Sequence, residues 1–211
     1  KRNPLGFFSP EELIFISAQE MVYLAEKEVT IFSGNTKLWQ KNDFITAQKI
    51  SINHKETQLH AQGEVKSFFH HKIKNQEELI KIYAAKMEFS QKEKLITYQG
   101  NNSLFAKNLK VSAKTIKLLL EKEKSGIEKI IAQQEATIEY SQYRATGGKA
   151  EYNLNQEKII LTENPVIIDQ NKGRTEGKKL TFHLADDRIV MESEENKRAV
   201  TVLSSKTIKE K

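Results

Sequence analysis

The chain of 211 residues contains no cysteine. Disulfides, cysteine-ligated zinc, iron–sulfur clusters and thiol nucleophiles are therefore excluded together. The compartment stays open, since cysteine-free chains occur in cytosol and periplasm alike. No apolar run reaches the ~18 residues that a membrane-spanning helix needs. The start, KRNPLGFFSP, lacks the apolar segment of a signal peptide, so either the chain is cytosolic or its targeting segment is absent from it. Catalytic signatures are missing as well. Five histidines occur, at 54, 60, 70, 71 and 183, none with the spacing of a zinc helix, and FFHH reads as the end of a strand. No serine stands in G-x-S-x-G. SGNTK and GRTEGKK do not match a phosphate-binding loop and read as turns, as does LADDR, where Asp186 and Asp187 suit turn geometry. The expectation is no catalytic residue, no metal, no cofactor and no enzyme.

What is present is an ordinary globular composition, 38% hydrophobic and 29% charged, with a net charge of +6 and a pI near 9.2. A basic balance suits a partner carrying phosphate or carboxylate, whether nucleic acid, anionic lipid or glycolipid. The lysines are spread along the chain, however, and form no basic arm.

The dominant signal is an internal repeat. Small residues at Ala18, Ala47, Ala84, Ala113, Gly147 and Gly177 are spaced by 29, 37, 29, 34 and 30 residues. Three positions after each stand Met21, Ile50, Met87, Ile116, Ala150 and Leu180; five after stand Tyr23, Ile52, Phe89, Leu118, Tyr152 and Phe182. Twelve after come Leu59, Ile96, Ile159 and Ile189; fourteen after come Phe32, Ala61, Tyr98, Leu161 and Met191. Glycines 34, 63 and 100 share the sixteenth place. The copy at Ala113 fits only with about five residues inserted around EKEKSG, after which Ile130 and Ala132 fall into register.

Within each unit apolar and polar residues alternate, so one face of a strand meets a core and the other meets water. NHKET, SQKEK, NLNQEK and ADD are polar turns between strands. Six two-strand units predict about twelve antiparallel strands, too many for one flat sheet. Helical spacing fits only SPEEL, with Ser9 as N-cap, Pro10 at the first helical position and Glu12 closing a capping box, and NQEELIKI near 75–82. TIKLLLEKEK is assigned to strand because Gly126 and the repeat register favour it. Stacked units leave an apolar interior and two ends with unpaired strand edges. Tyr23, Phe89, Tyr152 and Phe182 are placed in that interior, not on a base-stacking surface, because they share their position with Ile52 and Leu118. Trp39 is left as either an exposed anchor or a rim residue.

Residues 29–65, VTIFSGNTKLWQKNDFITAQKISINHKETQLHAQGEV, and more closely 145–192, with its order G-x-x-A-x-Y and then L-T-x-N-P-V, resemble the repeating unit of the OstA/LptA family of lipopolysaccharide-transport proteins. The resemblance covers roughly residues 16–203. It implies an open, V-shaped β-jellyroll with acyl chains in its groove and a periplasmic location. It also implies head-to-tail strand pairing with itself and with homologous jellyroll domains of the inner-membrane-anchored and outer-membrane components. The insertion after Leu120, the long link KSFFHHKIKNQEELIKI and the SPEEL segment depart from the plain pattern.

The resulting expectation is an N-terminal extension with a short helix over 1–15, a jellyroll domain over 16–203 and a tail over 204–211. The expected function is a non-enzymatic lipid conduit that takes lipopolysaccharide, lipid A or a related glycolipid and no nucleic acid. Its groove residues would be Ile50, Ile52, Leu59, Met87, Phe89, Ile96, Ile116, Leu118, Tyr152, Ile159, Leu161, Leu180 and Phe182. Two alternatives remain, a structural β-solenoid that assembles end to end without cargo and a nucleic-acid-binding β domain.

Overall fold

The computed structural model describes residues 12–73, 76–121, 126–169, 173–193 and 200–202. Sixteen strands form a single antiparallel sheet. In chain order they are β1 (Phe15–Ser17), β2 (Glu20–Leu24), β3 (Val29–Gln40), β4 (Asp43–Asn53), β5 (Gln58–Ile73), β6 (Gln76–Ser90), β7 (Leu95–Ala106) and β8 (Leu109–Leu120). There follow β9 (Ile127–Tyr140), β10 (Tyr143–Asn153), β11 (Lys158–Thr162), β12 (Val166–Asp169), β13 (Gly173–Glu176), β14 (Lys179–His183), β15 (Arg188–Glu192) and β16 (Val200–Val202). From β3 to β10 each strand pairs with the next, so the chain winds back and forth without a crossover.

The hairpins close through polar residues. In two of them an asparagine side chain accepts from the backbone three residues on, Asn53 from Glu56 N–H at 2.9 Å and Asn153 from Gln156 N–H at 3.0 Å. Thr57 and Glu157 then take left-handed φ values of 53° and 48°.

Every long strand breaks register near its middle. The β3–β4 pairing slips between Ser33 and Thr36, β5–β6 between Gln62 and Val65, β7–β8 between Gln99 and Asn102, and β9–β10 between Gly147 and Lys149. At these bulges the backbone turns left-handed, with φ of 80° at Gly34 and Gly63 and 111° at Gly100. In β9 the same place is held by Gln134 and Glu135, at 64° and 63°. The small residues that anchor the repeat face these bulges: Ala47 pairs with Thr36, Ala84 with Val65, Ala113 with Asn102 and Gly147 with Ala136. The repeat thus records a fold line across the sheet.

At both ends of the sheet the strand is broken at that line. Ala18 separates β1 from β2 and Gly177 separates β13 from β14; β11 and β12, and β15 and β16, are broken likewise. β2 pairs with residues 29–33 of β3 and β1 with 37–39 of the same strand. At the other end β10 is flanked by β11 along one half and by β12 along the other. The sixteen segments are therefore twelve strand paths, bent into two walls. The first wall runs from β2 through residues 29–33, 49–53, 58–62, 86–90, 95–99, 115–120, 127–133 and 149–153 to β11, β14 and β15. The second runs from β1 through 36–40, 43–47, 65–73, 76–84, 102–106, 109–113, 136–140 and 143–147 to β12, β13 and β16. This is the all-β, folded double sheet expected of a jellyroll.

Two expectations are corrected. From Gln76 on, NQEELIKI is strand, not helix: in β6, Glu78, Ile80 and Ile82 are buried on alternate positions, so period two within a paired hairpin overrides the local helical spacing. The SPEEL helix falls partly on residues 9–11, outside the described residues; Glu12 and Leu13 are not helical, and the described residues hold only a 3-10 turn at Ala25–Lys27. The long link becomes an extension of the β5–β6 hairpin. The insertion after Leu120 falls mostly on residues 122–125, outside the described residues.

Candidate functional site: a two-walled apolar interior

The repeat positions become two continuous cross-strand rows on the inner face of the first wall. One passes from Ile52 through Leu59, Phe89, Ile96, Leu118, Ile130, Tyr152 and Ile159 to Phe182, each residue directly opposite the next. The other passes from Ile50 through Ala61, Met87, Tyr98, Ile116, Ala132, Ala150 and Leu161 to Leu180. All thirteen expected groove residues fall in these rows, and all are buried, with no more than 6% exposed.

The second wall supplies an opposing row that the sequence reading omitted: Ile16, Leu38, Ile45, Ser67, Ile82, Leu104, Val111, Ile138, Ala145 and Ile167. A signal for it existed. Ile16, Ile45, Ile82, Val111 and Ala145 each stand two places before a repeat anchor, and Leu38, Ser67, Leu104 and Ile167 each stand twenty after one. The two walls meet, for the Tyr140 ring of the second wall packs edge-on against Phe182 of the first, centroids 6.4 Å apart.

Opposite the fold line the hairpin tips of the two walls form a mouth, closed by a polar seam. His71, at the tip of the second wall, accepts from Ile127 N–H of the first through Nδ1 at 3.3 Å. Tyr140 donates to Asp187, in the β14–β15 turn, at 2.6 Å. Beside them Lys107 pairs with the buried Glu78 at 2.6 Å. Burial holds the His71 imidazole below its ordinary pKa, against the pull of Glu121 and Glu78, so neutral imidazole is the favoured form. Burial, then the bond to Asp187, holds the Tyr140 phenol above its ordinary value. Burial raises Tyr152 as well, with Glu78 and Glu157 adding to it.

At the β2 end the inner rows are exposed among the described residues. Met21 and Tyr23 continue the two inner rows, through Phe32 and Thr30, but are 63% and 55% exposed. Tyr23 is therefore not the buried core residue expected from its repeat position. Val22 and Leu24 on the other face are also exposed, and among the described residues β2 pairs on one side only. Trp39 lies on the outer face of the second wall, stacked on Phe15 at 5.5 Å with Lys37 over its ring. Of the FFHH pair, His70 points outward to Asp43 at 2.7 Å while His71 points into the mouth. Among the described residues no three of His, Asp and Glu stand close enough to share a metal.

The class defined by this arrangement is a β-jellyroll of two walls around an apolar interior, with strands paired on one side only at both ends among the described residues. The LptA/(LptD N-terminal domain) LPS transport protein family matches residues 15–117 and again residues 81–188, and the chain belongs to that family. The two placements differ by 81 − 15 = 66 residues, the distance from Ala18 to Ala84, so the family pattern fits twice, shifted by two repeat units. Among solved structures the fold is similar to LptH from Pseudomonas aeruginosa, the LptA homologous periplasmic component of the conserved lipopolysaccharide transport device. The TM-score is 0.52 at 17% identity, covering 94% of LptH but only 59% of this chain. At that identity the likeness concerns the fold. No curated protein sequence matches the chain.

Proposed function

We propose that this protein is a non-enzymatic periplasmic bridge that carries lipopolysaccharide, or a related glycolipid, toward the outer membrane with its acyl chains between the walls. The observation that carries the reading is the pair of facing, mainly apolar inner surfaces, the first of which continues past Thr30 and Phe32 to the exposed Tyr23 and Met21 of β2. Acyl chains would be held there by removal from water, about 25 cal/mol per Å² of apolar area. Because the thirteen groove residues are shielded by the opposite wall, cargo enters by parting the mouth or through the β2 end. The one-sided β2 edge then serves strand addition by a second copy or by a homologous jellyroll domain of the flanking components.

The test is a photoreactive side chain at Tyr152 in the interior and, as control, at Phe68 on the outer face, each incubated with lipopolysaccharide. Cross-linking at Tyr152 and not at Phe68 is expected. If neither position cross-links while the protein lengthens with concentration, the interior is plain core and the protein is an end-to-end assembly without cargo. That second reading draws on the closure of the mouth.

A further inference from the structure

The opposing rows each contain one hydroxyl that an ordinary core would not place there. In the second wall Ser67 stands between Ile45 and Ile82, directly opposite both, and is fully buried. In the first wall Tyr98 stands between Met87 and Ile116 and is likewise fully buried. The two hydroxyls approach each other across the interior, and Ser67 offsets a small part of the rise that burial imposes on the Tyr98 phenol. They face each other closely enough for Ser67 to act on the phenol, yet the pair does not reach hydrogen-bond geometry, and neither oxygen has another partner among the described residues. Asn102, four residues along β7 beyond the bend, spends its amide N–H groups on the carbonyls of Tyr98, Ala113 and Lys114, and its Oδ1 is also without a partner.

Leaving buried hydroxyls unpaired is unfavourable, and replacing a polar pair by apolar groups of similar shape is nearly neutral or stabilising. Phenylalanine at 98 and alanine or valine at 67 would keep the alternation and remove the penalty. The retained oxygens therefore fit a ligand that completes them. We propose that Tyr98 and Ser67 form a polar site inside the apolar interior that selects acyl chains bearing a hydroxyl or ester oxygen over plain hydrocarbon chains. A hydroxyl on the chain both donates and accepts, which matches a phenol donor, a serine that does either and the acceptor left on Asn102. The proposal rests on the lipid-carrier reading and adds to it a selection by chain chemistry.

The test compares wild type, Tyr98→Phe and Ser67→Ala by displacement of a fluorescent fatty acid, using a β-hydroxy fatty acid and the unsubstituted acid of equal length, together with the melting temperature of each lipid-free protein. Wild type is expected to prefer the hydroxylated chain about tenfold, the value of one hydrogen bond to a ligand, and each variant to lose that preference while keeping its affinity for the plain chain. The lipid-free variants are expected to melt higher, by about 3 °C, because an unpaired polar group is gone. A lower melting temperature in both variants would mean that the two hydroxyls already satisfy each other or a water, and would overturn the proposal. So would equal binding of the two acids by wild type. Wild type that binds neither acid nor lipopolysaccharide overturns the carrier reading itself.

Discussion

Tyr140→Phe separates opening of the mouth from unfolding of the sheet. The substitution deletes one hydrogen bond across the seam, from the buried Tyr140 phenol to the Asp187 carboxylate at 2.6 Å, and leaves the ring against Phe182. A bond to a charged acceptor contributes about 1.5–3 kcal/mol when dry, and the exposed position of Asp187 reduces this to about 1 kcal/mol. That raises the open population about fivefold and lowers the melting temperature by about 2–4 °C. Because the chain has no cysteine, single reporters are clean. Ala106→Cys places a small thiol at the inner tip of the second wall, and Ala136→Cys places one beside the fold line; both sites are now buried, at 5% and 0% exposed. When closing is fast relative to modification, the labelling rate by a maleimide follows the open population. Tyr140→Phe is expected to label about fivefold faster at Ala106→Cys and to change Ala136→Cys far less. Equal acceleration at both sites would show that the whole sheet unravels and that Asp187 holds no mouth closed. No acceleration at either would refute the seam.

Two further outcomes follow from the fold line and from His71. Gly63→Ala places a Cβ 2.5 Å from the Gln48 Oε1 and forces a φ of 80° on a side chain, so the melting temperature should fall by about 6 °C, corresponding to about 2 kcal/mol; an unchanged melting curve would mean that the bulge relaxes without cost. His71 has a folded pKa below its ordinary value near 6.5, so the unfolded chain takes up its proton first as pH falls. Its contribution to stability is therefore complete above about pH 6.5 and is lost as pH drops toward the folded value. Wild type should melt lower at pH 5 than at pH 7, and His71→Gln should flatten that difference; an equally steep dependence in the variant would assign the effect to other groups.

The first wall was legible in the sequence because its inner positions, such as Ile52, Leu59 and Phe89, are apolar in nearly every unit. Its alternation therefore survives the insertion near Gly126. The second wall was not, although it is as periodic, because Thr36, Ser67, His71, Glu78 and Asn102 all point inward and break the hydrophobic alternation. The bulges were visible only as a glycine position: Gly34, Gly63 and Gly100 marked them, whereas Gln134 and Glu135 adopt the same backbone without any residue that announces it. NQEELIKI misled because its spacing serves either period and only pairing with β5 decides between them. Nor does any local signal report that Tyr23 is exposed, since it holds the same repeat position as the buried Ile52 and Phe89.

The double match of the family pattern has a mechanical consequence. Strands in a sheet lie about 4.8 Å apart, so twelve strand paths in one chain give a covalently continuous ladder about 50 Å long. LptH is aligned with only 59% of the chain. If such proteins join in a row through their edge strands, as proposed above, each joint between chains would be held by main-chain bonds and would come apart with dilution, whereas the ladder inside a chain would not. A longer unit spans a given gap with fewer of these reversible couplings, and the probability that the whole row is intact rises with every coupling removed.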